Sequence, residues 1–346
     1  MGKRLAFDLS LSDWEAWVKD RGYPAYRAAQ IYQWFSKGVE DTARMLNIPN
    51  PIREALLQDF VVMGLQVENE LTSDIDGTKK FIFRLHDGHI VETVLMKYKT
   101  GYSVCISSQA GCKMGCAFCA SAHAGFGRSL TAGEMLGQIT VIQDRIGERI
   151  HSVVVMGIGE PFDNYDNLMG FIKLANDPKG LNLGARHITV STCGLVPQML
   201  EFMYANLQVN LSVSLHAPND ELRRSMMPVA NRYDLDELLD ACRRYTAGTG
   251  RRITFEYSLF NGVNDSVKDA KELAARLRGI HCHINLIAAN EFSGSPYKRS
   301  AQDHVRTFFE TLEQLGMTVT LRREMGSDIM AACGQLRRGI EGRKEL

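Results

Sequence analysis

Neither sign of charge is in surplus: 40 Lys and Arg balance 40 Asp and Glu, so the formal net charge is zero with histidine neutral. That excludes a polybasic tail as the main device for holding nucleic acid, and equally an acidic solvating chain. A local basic face remains compatible with a neutral total. Long apolar runs are missing too: stretches such as Val153 to Ile158 fall far short of the roughly 20 residues a membrane helix needs. Asp8 and Asp13 interrupt the opening segment before an apolar core builds, so no secretory leader is expected and the expected location is the cytoplasm. No short repeat, low-complexity tract or Gly/Ser linker appears. Cysteine is too sparse for a disulfide scaffold in 346 residues. Of the eight, at 105, 112, 116, 119, 193, 242, 282 and 333, half fall between 105 and 119. Crowding of that kind reads as metal binding or catalysis.

What is present divides by pattern. Residues 1–70 read as a small helical accessory domain. Ser12 and Glu15 form a capping-box pair ahead of a helix carrying Trp14 and Trp17. Tyr26–Lys37 is a second helix with Ile31, Trp34 and Phe35 on its apolar side, and Pro51 opens a third as its first residue. Residues 71–100 form a β-hairpin extension, in which KFIFRL and IVETVLM flank an Asp87-Gly88 turn. From residue 101 to 346 strands alternate with helices. Candidate strands are Ser103–Ser107, Ser152–Met156, His187–Ser191, Val209–Leu215, Arg252–Ser258, His283–Leu286 and Thr318–Arg322. Thr131 and Glu134 cap one intervening helix, which Gly147 ends. Regular alternation predicts an α/β fold with a parallel sheet, doubly wound or curled into a full or partial barrel.

The central motif is Cys112-x3-Cys116-x2-Cys119, in the loop after the first strand of the alternating region. Three close thiolates suit zinc or an iron–sulfur cluster. Structural zinc wants four protein ligands, and no second cysteine pair follows. Three thiolates on a four-iron cubane leave one iron open for a ligand. The bland alternative, three thiols packed in a turn, sits poorly with Gly111 and Gly115 loosening the loop.

This spacing, with Phe118 before the third cysteine, resembles the radical S-adenosylmethionine superfamily. VETVLMKY, CISSQAGC, MGIGEPFDNYDNLM, GARHITVST, LSVSLHA and DIMAACGQL together resemble the RlmN family of RNA adenine C2-methyltransferases, from about Arg27 to Leu336. The sister family Cfr, which methylates C8, shares the cluster, CISSQ and AACGQL segments. A non-catalytic, zinc-stabilised RNA-binding protein is the alternative of a different class. The resemblance implies a partial (β/α)6 radical-SAM barrel behind the helical domain. It also implies a [4Fe-4S] cluster on Cys112, Cys116 and Cys119, and S-adenosyl-L-methionine, two per turnover.

Barrel enzymes place their working residues at the carboxyl ends of strands. Gly159, Glu160, Ser191, Ser214, Leu215, His216 and Asn290 occupy such places, and the resemblance makes them the S-adenosylmethionine shell, with Glu160 meeting the ammonium group. It also implies that Cys333 receives a methyl group, which becomes the carbon added to adenine. Cys105 would then release the protein–RNA link by a disulfide with Cys333, and Glu92 would accept a proton. From strand alternation alone, Glu92 reads as a solvent-facing carboxylate. Disulfide chemistry needs an accessible thiolate, so one of the two thiols is expected to be acidic. Cys193, Cys242 and Cys282 match no motif and read as packing residues. Implied partners are 23S rRNA, tRNA and an electron donor such as flavodoxin or ferredoxin, with no membrane. Lys97, Lys99, Arg128 and Arg299 are the basic residues considered for RNA contact.

Overall fold

The computed structural model describes residues 3–290 and 295–336. Its first helix, α1 (Leu11–Asp20), starts earlier than Ser12 and Glu15 suggest. Ser10 is the N-cap: its Oγ accepts the Asp13 N–H at 3.3 Å, and the Asp13 carboxylate accepts the Ser10 N–H at 2.8 Å. The earlier start seats Leu9 and Trp14, either side of the cap, in one buried cluster, as a hydrophobic staple requires. Helix α2 (Tyr26–Ser36) buries Ile31 and Phe35, and α3 (Asn50–Asp59) takes Pro51 as its second residue rather than its first. Trp14 stacks on Phe35 with ring centroids 5.4 Å apart. A short parallel pair, β1 (Arg4–Leu5) and β2 (Phe60–Val61), closes this unit around its own apolar core.

The next four strands run antiparallel in succession: β3 (Leu65–Thr72), β4 (Lys79–Leu85), β5 (Ile90–Tyr98) and β6 (Gly101–Ile106). The hairpin read from the sequence is β4–β5. The sequence reading missed β3, whose polar run QVENELT carries little apolar alternation. A two-stranded ribbon follows, β7 (Gln109–Gly111) with β8 (Phe126–Ser129), flanking the short α4 (Ala120–His123). Helix α5 (Ala132–Ile146) has the expected Thr131–Glu134 capping box, and Gly147 caps its end at φ +67°.

From β6 the sheet turns parallel through β9 (Ile150–Val155), β10 (Ile188–Thr192), β11 (Asn210–Ser214), β12 (Ile253–Leu259), β13 (Cys282–Ala288) and β14 (Val319–Leu321). The crossovers carry α6 (Tyr165–Asn176), α7 (Val196–Tyr204), α8 (Asp220–Met226), α9 (Leu235–Thr249), α10 (Val267–Leu277) and α11 (Gln302–Gln314). All seven strands expected from alternation are present, within a few residues at each end. They form six strand–helix units and a seventh strand, an open partial barrel. The same sheet continues through β5, which pairs Val94 with Cys105 of β6. After β14 the chain returns across β5: Met325, Ala331 and Leu336 pack on Val94, Met96, Cys105 and Ile158.

Candidate active site

Cys112, Cys116 and Cys119 lie between β7 and α4 in a loop pinned from three sides. The Cys112 N–H donates to the Gly125 carbonyl at 3.2 Å, Ala117 N–H to Met226 at 2.9 Å, and Ala120 N–H to Gly334 at 2.8 Å. Gly111 sits at φ +92°, where a Cβ would collide with the Gly125 carbonyl. All three cysteines line one cavity at the carboxyl ends of the parallel strands. Burial pushes the Cys112 thiol up to about 12 and raises Cys116 and Cys119 as well.

The facing wall holds Gly159, Glu160, Ser191, Ser214, His216 and Asn290. Gly159 has φ +107°, and a Cβ there would lie 2.6 Å from the Gln109 side chain, so the loop closes only on glycine. Glu160 is buried; its carboxylate accepts the Phe162 N–H at 2.9 Å and the Cys193 N–H at 2.7 Å. It therefore bridges the loops after β9 and β10. Burial raises its pKa, opposed by those backbone bonds. His216 adopts φ +57°, and its Nδ1 accepts the Ser258 N–H at 2.9 Å. Burial, then the Arg223 charge, push its pKa down to about 3, so the imidazole is neutral. Phe118 packs edge-on against it at 4.8 Å. Asn290 donates to the Cys333 carbonyl at 3.2 Å, while its Oδ1 is buried with no partner among the described residues. Leu215 does not join this wall. Its side chain packs in the core, and its N–H donates to the Glu256 carbonyl at 3.0 Å.

A second cavity adjoins the first. Cys333 lines both, and Cys105 lines the second. Both are free thiols, so the implied disulfide is not formed in this state. Burial, then Cys333, push Cys105 up to about 12, the reverse of the acidity expected if it were the activated thiol. Glu92 lines neither cavity. It is buried rather than solvent-facing, because the returning chain covers that face of β5, and Lys80 Nζ lies 3.5 Å from its carboxylate. The same Nζ donates to the Met330 carbonyl at 3.3 Å, tying Glu92 to the Cys333 segment.

Two residues escaped the sequence reading. Arg322, just past β14, lines both cavities and sits 3.9 Å from Glu256. Cys333, against the effect of burial, holds it further in its charged form. Its position at a strand end was the available signal. Cys193, read as packing, is buried but also lines the first cavity. Of the basic residues considered for RNA, Arg128 is engaged by Glu134 and Asp87, and Arg299 by Glu324 at 2.6 Å.

Residues 6–62 match the ribosomal RNA large subunit methyltransferase N-terminal domain, and 106–274 match the Radical SAM superfamily. A probable dual-specificity RNA methyltransferase RlmN of Clostridium perfringens is 50% identical over 98% of this chain and 98% of its own length. The chain belongs to the RlmN family. A Bacillus cereus relative of the same name is 48% identical over 97% of this chain and 94% of its own. The crystal structure of a radical SAM methyltransferase from Sphaerobacter thermophilus superimposes with a TM-score of 0.94, at 43% identity, covering 96% of this chain and 99% of that one.

Membership of the RlmN family brings a [4Fe-4S] cluster and S-adenosylmethionine, and the residues present fit both. Three soft thiol donors share one pinned loop, as a cluster on cysteine ligands requires. The orphaned Asn290 Oδ1 and the neutral His216 suit a polar ligand entering the cavity. Raised thiol pKa values mean that cluster assembly must release protons. No helix among the described residues is long and apolar enough to cross a membrane.

Proposed function

We propose that this chain methylates C2 of an adenine in RNA, at the peptidyl-transferase-centre adenosine of 23S rRNA and at a tRNA adenosine, through a methyl group carried on Cys333. The supporting observation is the place of Cys333 on the wall common to two cavities, one lined by the cluster loop and the other by Cys105. Cys112, Cys116 and Cys119 hold the cluster. Gly159, Glu160, Ser191, Ser214, His216 and Asn290 hold S-adenosylmethionine. When bound, this pair supplies the methyl group and the radical that a non-nucleophilic carbon such as adenine C2 requires.

The chain's own residues do the rest. Cys333, deprotonated, accepts the methyl group; its half-buried sulfur beside Ala331 and Ala332 has room for it. After the Cys333-borne carbon bonds to C2, Glu92 takes the C2 proton, for which it must exchange its contact with Lys80 for one with the base. Cys105, as thiolate, then attacks the Cys333 sulfur: the S–S bond forms as the Cys333 S–C bond breaks, the freed carbon takes a proton and leaves as the methyl group of the base, and the surplus electron of the adduct would pass back to the cluster. The target base has to leave its stack to reach a cavity at a barrel rim. An electron donor of the flavodoxin or ferredoxin class, a cytoplasmic setting and a division into 1–70, 71–100 and 101–346 belong to the same reading; residues 337–346 lie outside the described residues. Mass spectrometry of reacted RNA tests it: the methyl group should appear on C2 of adenosine, and a methyl on C8, or none, overturns it.

A further inference from the structure

Arg223 lies on α8, whose last residue, Met226, accepts the Ala117 N–H of the cysteine loop. Its side chain is wholly buried. Nη2 donates to the Cys193 carbonyl at 2.7 Å and Nη1 to the Tyr233 carbonyl at 3.4 Å, while Nε is buried with no partner among the described residues. A guanidinium keeps its proton in proteins, and burying an unpaired charge costs several kcal/mol, so such arginines ordinarily bring a carboxylate with them. Among the described residues no Asp or Glu oxygen makes an ion pair with Arg223. Asp220, whose field reaches it, is already engaged by Arg224 at 3.8 Å and by the Leu235 N–H at 2.8 Å. The other groups whose fields reach it are the thiols of Cys193, Cys116 and Cys242, which carry no charge when protonated. Among the described residues the cation has no paired carboxylate, and Cys193, whose carbonyl it grips, lines the cavity that Cys116 also lines.

We infer that Arg223 is the resident counter-charge of the iron–sulfur cluster: a positioning residue that raises the cluster's reduction potential and couples cluster loading to stability. The inference rests on Cys116 being a cluster ligand. A cluster on thiolates is anionic and gains a further negative charge on reduction, so a fixed nearby cation favours the reduced form. Without the cluster the same cation costs stability; with it, the cost is offset.

The test uses the full-length protein, reconstituted without oxygen, in wild-type, Arg223→Lys, Arg223→Gln and Arg223→Met forms. Potentiometric titration followed by electron paramagnetic resonance reads the cluster directly. The two neutral variants should be at least tenfold harder to reduce, a fall of about 59 mV for one electron. Arg223→Lys should stay near wild type. Thermal unfolding should show the cluster stabilising wild type and the Lys variant more than the neutral pair. Should the neutral variants fail to take up a cluster while Lys succeeds, the dependence on charge stands. Equal potentials in all four, or a fall in Lys as large as in Met, overturns it and leaves Arg223 a loop brace. A wild-type protein that never takes up iron and sulfide sinks the cluster assignment instead, whatever the arginine does.

Discussion

The two halves of the ten-stranded sheet hold the residues of the proposed chemistry differently. The parallel half, from β6 to β14, carries it in loops beyond the strand ends, where Cys112, Glu160, His216 and Asn290 face one cavity. The antiparallel half, β3 to β6, carries Glu92 and Cys105 inside strands, buried under the chain returning after β14. A parallel βα unit leaves its carboxyl-end loop free of pairing, so residues there vary without disturbing the sheet. A side chain in the middle of a strand becomes functional only when another segment covers it and supplies partners. Here Lys80 and the Cys333 segment do so. Cys333 joins the halves, since it lines the cavity of each.

The comparison breaks most visibly at the two thiols. Cys333→Ala should abolish methylation and leave no protein–RNA adduct. Cys105→Ala should stall after carbon–carbon bond formation and accumulate an adduct that survives denaturing gels. Normal turnover in Cys105→Ala, or no adduct in either variant, removes the antiparallel half from the chemistry.

Glu160→Ala tests the parallel half. The change strands the Phe162 and Cys193 N–H groups, at about 1–3 kcal/mol for each buried donor left unmade. S-adenosylmethionine affinity should fall at least tenfold by calorimetry, with iron and sulfide content unchanged because the ligand loop is elsewhere. Unaltered affinity would reduce Glu160 to a brace between two loops.

Accessibility separates the halves by a smaller margin. With its pKa pushed up to about 12, Cys105 is thiolate in only about one molecule in ten thousand at pH 8. Iodoacetamide should label half-buried Cys333 faster than buried Cys105 at that pH, read by peptide mass spectrometry. Cys105 labelling should climb with each further pH step. Comparable rates at pH 8 would mean that the covering segment opens freely in solution.

The smallest effect concerns the junction of the antiparallel half with the helical domain. Burial raises Glu40 to about 7, and its carboxyl accepts the Leu65 N–H at 3.1 Å. The folded state thus binds the proton more tightly than the unfolded one. Its stabilising contribution is complete below the unfolded value near 4.5 and is lost as pH rises through about 7. Glu40→Gln keeps an acceptor for Leu65 and cannot ionise. It should stabilise the protein by on the order of 2 kcal/mol at pH 8 and by nothing near pH 4, compared by denaturant titration.

Periodicity and punctuation fixed much of this protein in advance. Seven strand-like segments alternating with helical ones specify the parallel sheet, because each parallel pair needs a crossover long enough to hold a helix. Thr131, Glu134 and Gly147 bound α5 by local hydrogen bonding alone. The rim residues were legible too, since chain order places them after strands. Tertiary structure decided what depends on a distant segment. The polar alternation of β3 yields a strand only because β4 pairs with it, and Glu92 is buried only because the returning chain lies over β5. Cys105 is raised rather than acidic for the same reason: desolvation is set by whatever covers a group, and its own neighbours in sequence do not record that. Arg223 shows the limit most plainly, because a charge on an ordinary amphipathic helix becomes an unpaired buried cation only where the helix end meets the cysteine loop.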